Sequence, residues 1–230
     1  LCHVFFRTHN KSMFLQPADV KKYLLLTWAL QKKKYGIKIF EFCIMDNHVH
    51  LLVRAQNAHE LGSFMRTVNS ALARFINRKY NRDSQAIRER YKSPIVSSYK
   101  YVRRLMPYIW LNRYKVDKSN PKKDIFNSYA WRQNPKIYKA LNLSKKEIQD
   151  IEDLLDFEEN IHGLISNIKE FTQRLLDSAI GKNEPQDDST FENSHTIGDA
   201  TTVKYRSSLV RAFIKQRPPP NLRQLERSIA

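Results

Sequence analysis

The stretch IKIFEFCIMDNHVHLLVRA, residues 37–55, predicts a β-hairpin from which the rest of the fold can be built outward. Apolar and polar residues alternate along IKIFEFCIM, the dipeptide Asp46-Asn47 is typical of a turn, and HVHLLVRA returns as the next strand. Because side chains alternate between the faces of a strand, we expect His48 and His50 to point the same way. Two imidazoles on one face of a half-buried strand cost desolvation without improving its packing, and they offer two nitrogen ligands to a metal ion.

Further strand and helix signals flank the hairpin and give the order β-α-β-β-α-β-α. CHVFFRT predicts a first strand and SPIVSS (Ser93–Ser98) a short last strand. Three segments have apolar residues at helical spacing: ADVKKYLLLTWALQKKKYG, HELGSFMRTVNSALARFINRKY and YKYVRRLMPYIWLNRYK. This order predicts an α+β fold of the ferredoxin-like (split βαβ) type, in which an antiparallel sheet carries helices on one face.

The character of the sequence changes after about Val116. DKSNPKKD resembles a linker, Ser144 and Glu147 have the spacing of a helix capping box, and GKNEPQDDSTFENSHTIGDATT is polar almost throughout. We therefore predict a domain over residues 1–115 and a mostly helical, truncated accessory region over residues 116–230, with further helices near 160–180 and 205–215 and a mobile loop near 181–202.

The positive charge of the chain is concentrated in its first half. The 230 residues carry a formal net charge of +17, and residues 1–115 hold 22 Lys+Arg against 6 Asp+Glu. Residues 116–230 are nearly neutral, with 18 against 17. This asymmetry indicates that the first half binds an acidic polymer or an acidic surface. The candidate DNA contacts are Lys32, Lys33, Lys34, Arg78, Lys79, Arg82, Arg88, Arg90, Tyr91, Lys92, Arg103 and Arg104.

The composition disfavours a membrane protein and a disulfide-stabilised one. No run of 18 or more apolar residues occurs, so no membrane-spanning helix is predicted. The two cysteines, Cys2 and Cys43, lack the spacing of a zinc site, and their small number fits a reducing compartment.

The third predicted helix offers a nucleophile and a third ligand. Tyr108 and Asn112 are four residues apart, so a phenol and an amide project from adjacent turns of one helix face. A tyrosine oxygen can attack a phosphate that a metal ion polarises. Pro107 removes a helix hydrogen bond one residue before Tyr108, so we expect a kink or an interruption there.

These segments resemble a known family. MDNHVHLLV is similar to the HUH motif (His, hydrophobic, His) of the single-tyrosine HUH transposases, and in particular of the REP-associated tyrosine transposases. HVFFRTHNKSMF resembles the opening strand and turn of that family, ERYKSPIVSS its Arg-Tyr-Lys-Ser segment, and YIWLN the block that carries its catalytic tyrosine. This chain has Asp46 and Arg113 where the family typically has proline.

The resemblance implies a transposase-like catalytic domain that acts on single-stranded DNA. His48, His50 and Asn112 would hold one Mg²⁺ or Mn²⁺ ion, and Tyr108 would attack a phosphate to give a 5′-phosphotyrosine. The DNA would be a hairpin of a repetitive palindromic element. The resemblance further implies a bacterial protein of the cytoplasm, associated with the nucleoid and not with a membrane, that acts as a monomer or homodimer.

Other interpretations fit the same residues to different degrees. Histidine-triad nucleotide hydrolases need a third alternating histidine, and that position is Leu52 here. A structured-RNA binder would need an aromatic strand motif that the predicted sheet lacks. A non-catalytic regulator that binds DNA hairpins is the alternative, although the histidine pair and Tyr108 are all present. The nucleophile could instead be Tyr91, Tyr99 or Tyr101, and Glu41 could orient a histidine. A structural role is expected for His3, His9, His59, His162 and His195.

Overall fold

The computed structural model describes residues 1–88 and 90–162, apart from the side chain of Tyr99. Its strands and helices are β1 (Cys2–Arg7), α1 (Ala18–Lys34), β2 (Lys38–Ile44), β3 (His48–Arg54), α2 (Ala58–Lys79), α3 (Tyr99–Asp117), α4 (Ser128–Gln133), α5 (Lys145–Glu152) and α6 (Glu159–His162). Short 3₁₀ segments form at His9–Lys11 and Ile137–Leu141. The loop predicted near 181–202, the helix near 205–215 and all but the start of the helix near 160–180 lie outside the described residues.

The strands form an antiparallel sheet in the order β1-β3-β2, so the central strand carries the histidine pair. The short strand predicted at Ser93–Ser98 does not join this sheet as a strand. Ile95 forms an isolated bridge with Cys2 of β1, as Lys92 does with Phe5 just before this segment. Pro94 helps to explain the incomplete pairing, because proline has no N–H to donate to a neighbouring strand.

The two faces of the sheet carry different helices. Val49, Leu51 and Val53 point to the face that α1 and α2 cover, where they form the larger core. The expected placement of helices on one face holds for these two helices. In contrast, α3 packs against the opposite face, where Leu52 and Trp110 belong to a second core. The predicted α+β class with an antiparallel sheet is confirmed, and the histidine pair lies on the α3 face.

The third helix is continuous despite its internal proline. Ser98 caps the first turn by accepting a hydrogen bond from the backbone N–H of Tyr101. Pro107 leaves the carbonyl of Arg103, four residues earlier, without its helical donor, but the helix is not interrupted there. The candidate nucleophile Tyr108 is therefore mounted on a rigid element.

The chain beyond α3 packs onto the same body as the sheet. Phe126 and Trp131 belong to the core on the α1 and α2 face, and Tyr129 belongs to the core on the α3 face. The predicted capping box of Ser144 and Glu147 is present at the start of α5. Within the described part of the chain, no helix combines the length and apolar character that crossing a membrane requires.

Candidate active site

A pocket lies on the α3 face of the sheet, at the end of β3 where His48 begins the strand. Its volume is about 280 Å³, and it is lined by Phe5, Phe6, Arg7, His48, His50, Arg88, Arg90, Lys92 and Tyr108. The strand register explains part of this set, because Arg7 lies opposite His48 and Phe5 lies opposite His50. The pocket thus combines the histidine pair with a tyrosine and several cationic side chains.

The two histidines of β3 stand side by side, with ring centroids 5.0 Å apart and ring planes at 89°. Nδ1 of His48 lies 2.7 Å from Oδ1 of Asn47, and Nδ1 of His50 lies 3.0 Å from Nε2 of His3. In both rings it is therefore Nδ1 that meets a neighbouring side chain. This is the arrangement by which proteins orient a histidine whose Nε2 binds a metal ion.

Burial keeps the inner imidazoles neutral. It lowers the pKa of His3 to about 3. Burial, followed by the nearby charges of His3, His48, Arg7 and Lys115, holds the pKa of His50 well below its ordinary value. A neutral imidazole has the lone pair that a metal ion requires, so His50 is in its metal-binding protonation state at neutral pH.

Tyr108 meets the histidines across the pocket. Its half-buried ring lies edge-on to His50, with centroids 5.3 Å apart and planes at 84°. Nζ of Lys115 lies 5.0 Å from the centroid of the same ring. A cation in this position stabilises negative charge on the tyrosine.

The alternative nucleophiles are placed elsewhere, as far as the structure describes them. Tyr91 lines a neighbouring pocket, and Tyr101 packs against the second core. Tyr108 is the single tyrosine among the described residues that line the histidine pocket. Asn112 is one turn further along α3 and only 8% exposed, but it does not line the pocket. Its role as a ligand stays a prediction.

The two positions that depart from the family pattern meet in space. Asp46 accepts hydrogen bonds from Arg113 Nη1, at 3.1 Å, and from Lys21 Nζ, at 2.7 Å. Burial alone raises the pKa of Asp46, but Lys21 and Arg113 outweigh it and hold that pKa below its ordinary value. The ion pair joins the turn before His48 to α3, and so connects the element that carries the histidines with the element that carries the tyrosine.

With this geometry established, the chain can be compared with known proteins. Residues 1–112 match the family described as transposase, IS200-like. The matched segment is 112 of the 230 residues, just under half of the chain. The resemblance carried by the histidine motif is thereby confirmed. No curated protein matches the chain.

Two solved structures are similar to this chain. One is the REP-associated tyrosine transposase bound to a REP hairpin, with 14% identity, a TM-score of 0.46, and coverage of 68% of this chain and 88% of that chain. The other is a protein of Deinococcus radiodurans R1 assigned as a transposase, with 21% identity, a TM-score of 0.35, and coverage of 47% of this chain and 86% of that chain. Neither likeness bears on individual residues of the pocket.

IS200-like transposases typically depend on a divalent metal ion, and the pocket has donors that fit one. The neutral imidazole of His50 stands beside His48 on a rigid strand, and such a pair suits Mn²⁺ better than Mg²⁺, which prefers oxygen ligands. No group of three His, Cys, Asp or Glu side chains among the described residues is arranged to hold a metal ion. A third ligand from the described residues would therefore be an amide, phenol or other oxygen.

The lysine run at the end of α1 lies far from the histidine pocket. α1 ends at Lys34, and the chain then enters β2 at Lys38, which pairs with Arg54. Arg54 is at the opposite end of β3 from His48, and six residues of strand span about 20 Å. Lys33 and Lys34 are exposed at this remote end, so contacts to DNA at the pocket are not expected of them.

The side chain of Lys32 is buried and forms hydrogen bonds within the protein. It is 6% exposed, and its ammonium donates hydrogen bonds to the carbonyls of Asp153 and Leu154 and to the carboxylate of Asp156. A buried lysine with three such acceptors cannot reach a phosphate. The prediction that Lys32 contacts DNA is therefore wrong, and its function is to attach the chain beyond α4 to α1.

The other predicted DNA contacts divide into two groups. Arg88, Arg90 and Lys92 line the histidine pocket. The remaining cations lie outside it: Lys79 pairs with Asp19 at 2.6 Å, Arg82 stacks on Phe14 with 4.3 Å to the ring centroid, and Arg78, Arg103 and Arg104 are exposed. Of the predicted cations, the three on the segment after Ile87 are thus the ones that share a pocket with the histidine pair and Tyr108.

A second pocket, of about 510 Å³, adjoins the first. It is lined by Gly62, Met65, Arg66, Asn69, Ser70, Ala73, Gln85, Ile87, Arg90 and Tyr91. Arg90 lines both pockets, so they are neighbours on one surface. Guanidinium and amide groups suit the edges and phosphates of nucleotides. Tyr91, predicted as a DNA contact, belongs to this second pocket.

Glu41 bonds to residues other than His48 and His50, so the expectation that it orients one of them is not met. It is fully buried and accepts hydrogen bonds from Trp110 Nε1 at 2.7 Å, Ser128 Oγ at 2.5 Å and Arg132 Nε at 2.6 Å, with His162 Nε2 at 3.3 Å. Burial raises its pKa, but Arg132 and the hydrogen bonds from His162, Ser128 and Trp110 outweigh this and hold the pKa below its ordinary value. The carboxylate joins β2 to α3, α4 and α6.

Sequence reasoning missed what β1 brings to the histidine pocket. His3 is expected there to be structural, and neither Phe5 nor Arg7 is singled out, yet the latter two line the pocket and His3 bonds to His50. Alternation along HVFFR places these three residues on one face of a strand. Only the register with β3 shows that this face is the one with the histidine pair.

Proposed function

We propose that this chain is a metal-dependent single-stranded DNA endonuclease and strand transferase, which binds hairpins of repetitive palindromic elements and uses Tyr108 as its nucleophile. The observation that carries the proposal is the edge-on contact of Tyr108 with His50 in a pocket of cationic side chains. The match of residues 1–112 to a transposase family supports a role on DNA. Such an enzyme would act at the nucleoid in the cytoplasm, as a monomer or homodimer.

The chemistry is a transfer of a phosphoryl ester between two oxygens. The phenol oxygen of Tyr108 bonds to phosphorus, the bond to the 3′-oxygen of the DNA breaks, and the phenol proton is released as the 3′-oxygen gains one. The products are a 5′-phosphotyrosine and a free 3′-hydroxyl. Since the phosphotyrosine keeps the energy of the phosphodiester, a second 3′-hydroxyl can displace the tyrosine and join a new strand without ATP.

The side chains of the pocket have distinct roles in this proposal. His48 and His50, with Asn112 as the predicted third ligand, would hold a Mg²⁺ or Mn²⁺ ion that neutralises charge on the phosphate. Lys115, above the Tyr108 ring, stabilises the negative charge that develops on the phenol oxygen.

The cations of the pocket would bind the phosphates beside the cleaved bond. Arg7, Arg88, Arg90 and Lys92 surround the histidines and Tyr108. Because Arg90 also lines the neighbouring pocket, the strand would continue there, with an unpaired nucleotide between Arg66 and Tyr91.

The test is formation of a covalent adduct between the full chain and DNA. The chain is incubated with Mn²⁺ and a panel of hairpin oligonucleotides that have unpaired flanks and a label at the 3′ end. We expect a band that survives denaturation for the wild type and for Tyr101→Phe, and a loss of at least about 10³-fold for Tyr108→Phe. Peptide mass spectrometry should locate the nucleotide on Tyr108.

The outcomes separate the proposal from its alternatives. An adduct that persists in Tyr108→Phe would show that another tyrosine is the nucleophile. Binding of hairpins by the wild type without any adduct would favour the non-catalytic regulator. Equal hairpin binding by Tyr108→Phe and the wild type is expected, since the substitution removes a single hydroxyl and retains the ring.

A further inference from the structure

His3 and His50 form a buried contact that joins β1 to the centre of the sheet. Nε2 of His3 lies 3.0 Å from Nδ1 of His50, and the two ring planes are inclined by 22°. The residues are 2% and 5% exposed, so water hardly competes for this hydrogen bond. Nδ1 of His3 is buried and has no hydrogen-bond partner among the described residues.

One proton decides the direction of this hydrogen bond, because each neutral imidazole carries a single N–H. If Nδ1–H of His50 donates, Nε2 of His50 keeps an open lone pair in the pocket that this residue lines. If Nε2–H of His3 donates, the proton of His50 is on its own Nε2, and that nitrogen cannot bind a metal ion. Only the first tautomer is compatible with metal binding through Nε2 of His50.

We propose that His3 is a positioning residue, which accepts the Nδ1 proton of His50 and so keeps Nε2 of His50 open for a divalent cation. The inference rests on the proposed function, since His3 acts here through a predicted metal ligand. In this tautomer the proton of His3 is on Nδ1, the buried atom without a partner. Nδ1 of His3 lacks a partner in either tautomer, so the direction of the hydrogen bond is set by what Nε2 of His50 meets in the pocket.

The packing of His3 can be separated from its hydrogen bond. Its ring centroid lies 5.0 Å from that of Phe5 and 6.1 Å from that of Tyr108. Phenylalanine at this position retains a ring and removes the acceptor. Glutamine retains an acceptor and loses the ring. The two substitutions therefore form a matched pair.

The experiment measures Mn²⁺ binding to the full chain without DNA, by electron paramagnetic resonance of the free ion. We expect His3→Phe to weaken Mn²⁺ binding by about 10–100-fold, as is usual when the partner of a ligating histidine is lost. His3→Gln should restore most of the affinity. Hairpin binding in EDTA should be the same for the wild type and both variants, which shows that they are folded.

The tautomer can also be read in the wild type, without any variant. Long-range ¹H–¹⁵N correlation spectra of the metal-free, histidine-labelled chain should show a proton on Nδ1 of His50 and none on Nε2. The His50 resonances are assigned by their loss in His50→Gln. A proton on Nε2 of His50 would overturn the proposal whatever the variants do.

The failure of this inference is distinguishable from failure of the proposed function. Equal Mn²⁺ affinity in His3→Phe and the wild type refutes the role of His3 and leaves the metal role of the histidine pair intact. If the wild type binds Mn²⁺ no better than His50→Gln, the metal role itself fails and the role of His3 falls with it.

Discussion

The two ends of the sheet hold buried polar side chains in different ways. Toward Arg54, the carboxylate of Glu41 accepts hydrogen bonds from Trp110, Ser128 and Arg132. The ammonium of Lys32 donates to two backbone carbonyls and a carboxylate. Toward His48, burial keeps His3 and His50 neutral, and Nδ1 of His3 has no partner among the described residues. Three cations of the histidine pocket, Arg7, Arg90 and Lys92, form no ion pair within the described part of the chain.

The difference separates an end of the sheet where buried charges serve stability from the end that carries the candidate active site. At the Arg54 end the partners of the buried charges are other side chains and carbonyls, so the network joins helices to the sheet. At the His48 end, Asp46 pairs with Lys21 and Arg113, while Arg7, Arg90 and Lys92 form no ion pair within the described residues and suit the phosphates of DNA. An unsatisfied buried polar atom costs about 1–3 kcal/mol, and Nδ1 of His3 shares this condition with atoms of the structural core such as Nε1 of Trp28.

The largest expected effect is on the free energy of unfolding, at the Arg54 end. Glu41→Gln leaves Arg132 beside a neutral amide in a buried site, so we expect a loss of about 3–5 kcal/mol. His50→Gln removes no ion pair, so we expect a loss below about 2 kcal/mol. Urea unfolding of the metal-free chains, followed by circular dichroism, measures both values.

Ser128→Ala is the control for this comparison, because it removes a single neutral donor from Glu41 and should cost about 1 kcal/mol. If Glu41→Gln and His50→Gln destabilise the chain equally, the division between a structural end and a functional end is wrong.

The next effect is on the dependence of stability on pH, which should differ between the two ends. The pKa values of His3 and His50 are lowered on folding, so the unfolded chain binds more protons below about pH 6.5 and stability falls from there toward pH 3. The slope is at most about 1.4 kcal/mol per pH unit for each histidine. The pKa of Glu41 is also lowered, so its contribution is present above its ordinary value of 4.5 and is lost as the pH falls below it.

Unfolding of the metal-free chain between pH 7 and pH 3 checks these two windows. His3→Phe should flatten the curve between pH 6.5 and pH 4.5, while Glu41→Gln should keep that slope and flatten the curve below pH 4.5. A wild-type stability that stays constant from pH 7 to pH 5 would contradict a neutral, buried histidine cluster.

The smallest effect is on the salt dependence of hairpin binding. Arg90→Ala at the pocket should reduce the slope of log affinity against log salt by about one, with a loss of a few-fold in affinity. Lys33→Ala is the matched control at the remote end, where we expect no change. Titrations from about 50 to 200 mM salt measure the slopes, and equal slopes for the two variants would place the DNA elsewhere.

Local pattern alone determined much of this protein. The hairpin, the shared face of His48 and His50, the three long helices and the capping box at Ser144 all follow from periods and spacings within a few turns or strand pairs. The spacing of Tyr108 and Asn112 likewise follows from helix geometry. These features depend on residues close in sequence, so they can be predicted without knowing what packs against them.

Tertiary structure decided which of these residues meet. His3 and His50 are 47 positions apart, and Lys32 and Asp156 are 124 apart, so no local pattern shows that the first pair bonds at the site or that the second removes a lysine from it. Periodicity likewise does not predict which face of the sheet α3 covers, because an amphipathic helix can pack on either face. The sequence alone specifies the ligands and the nucleophile as candidates. Strand register and helix packing bring them together, since only they set distances between remote segments.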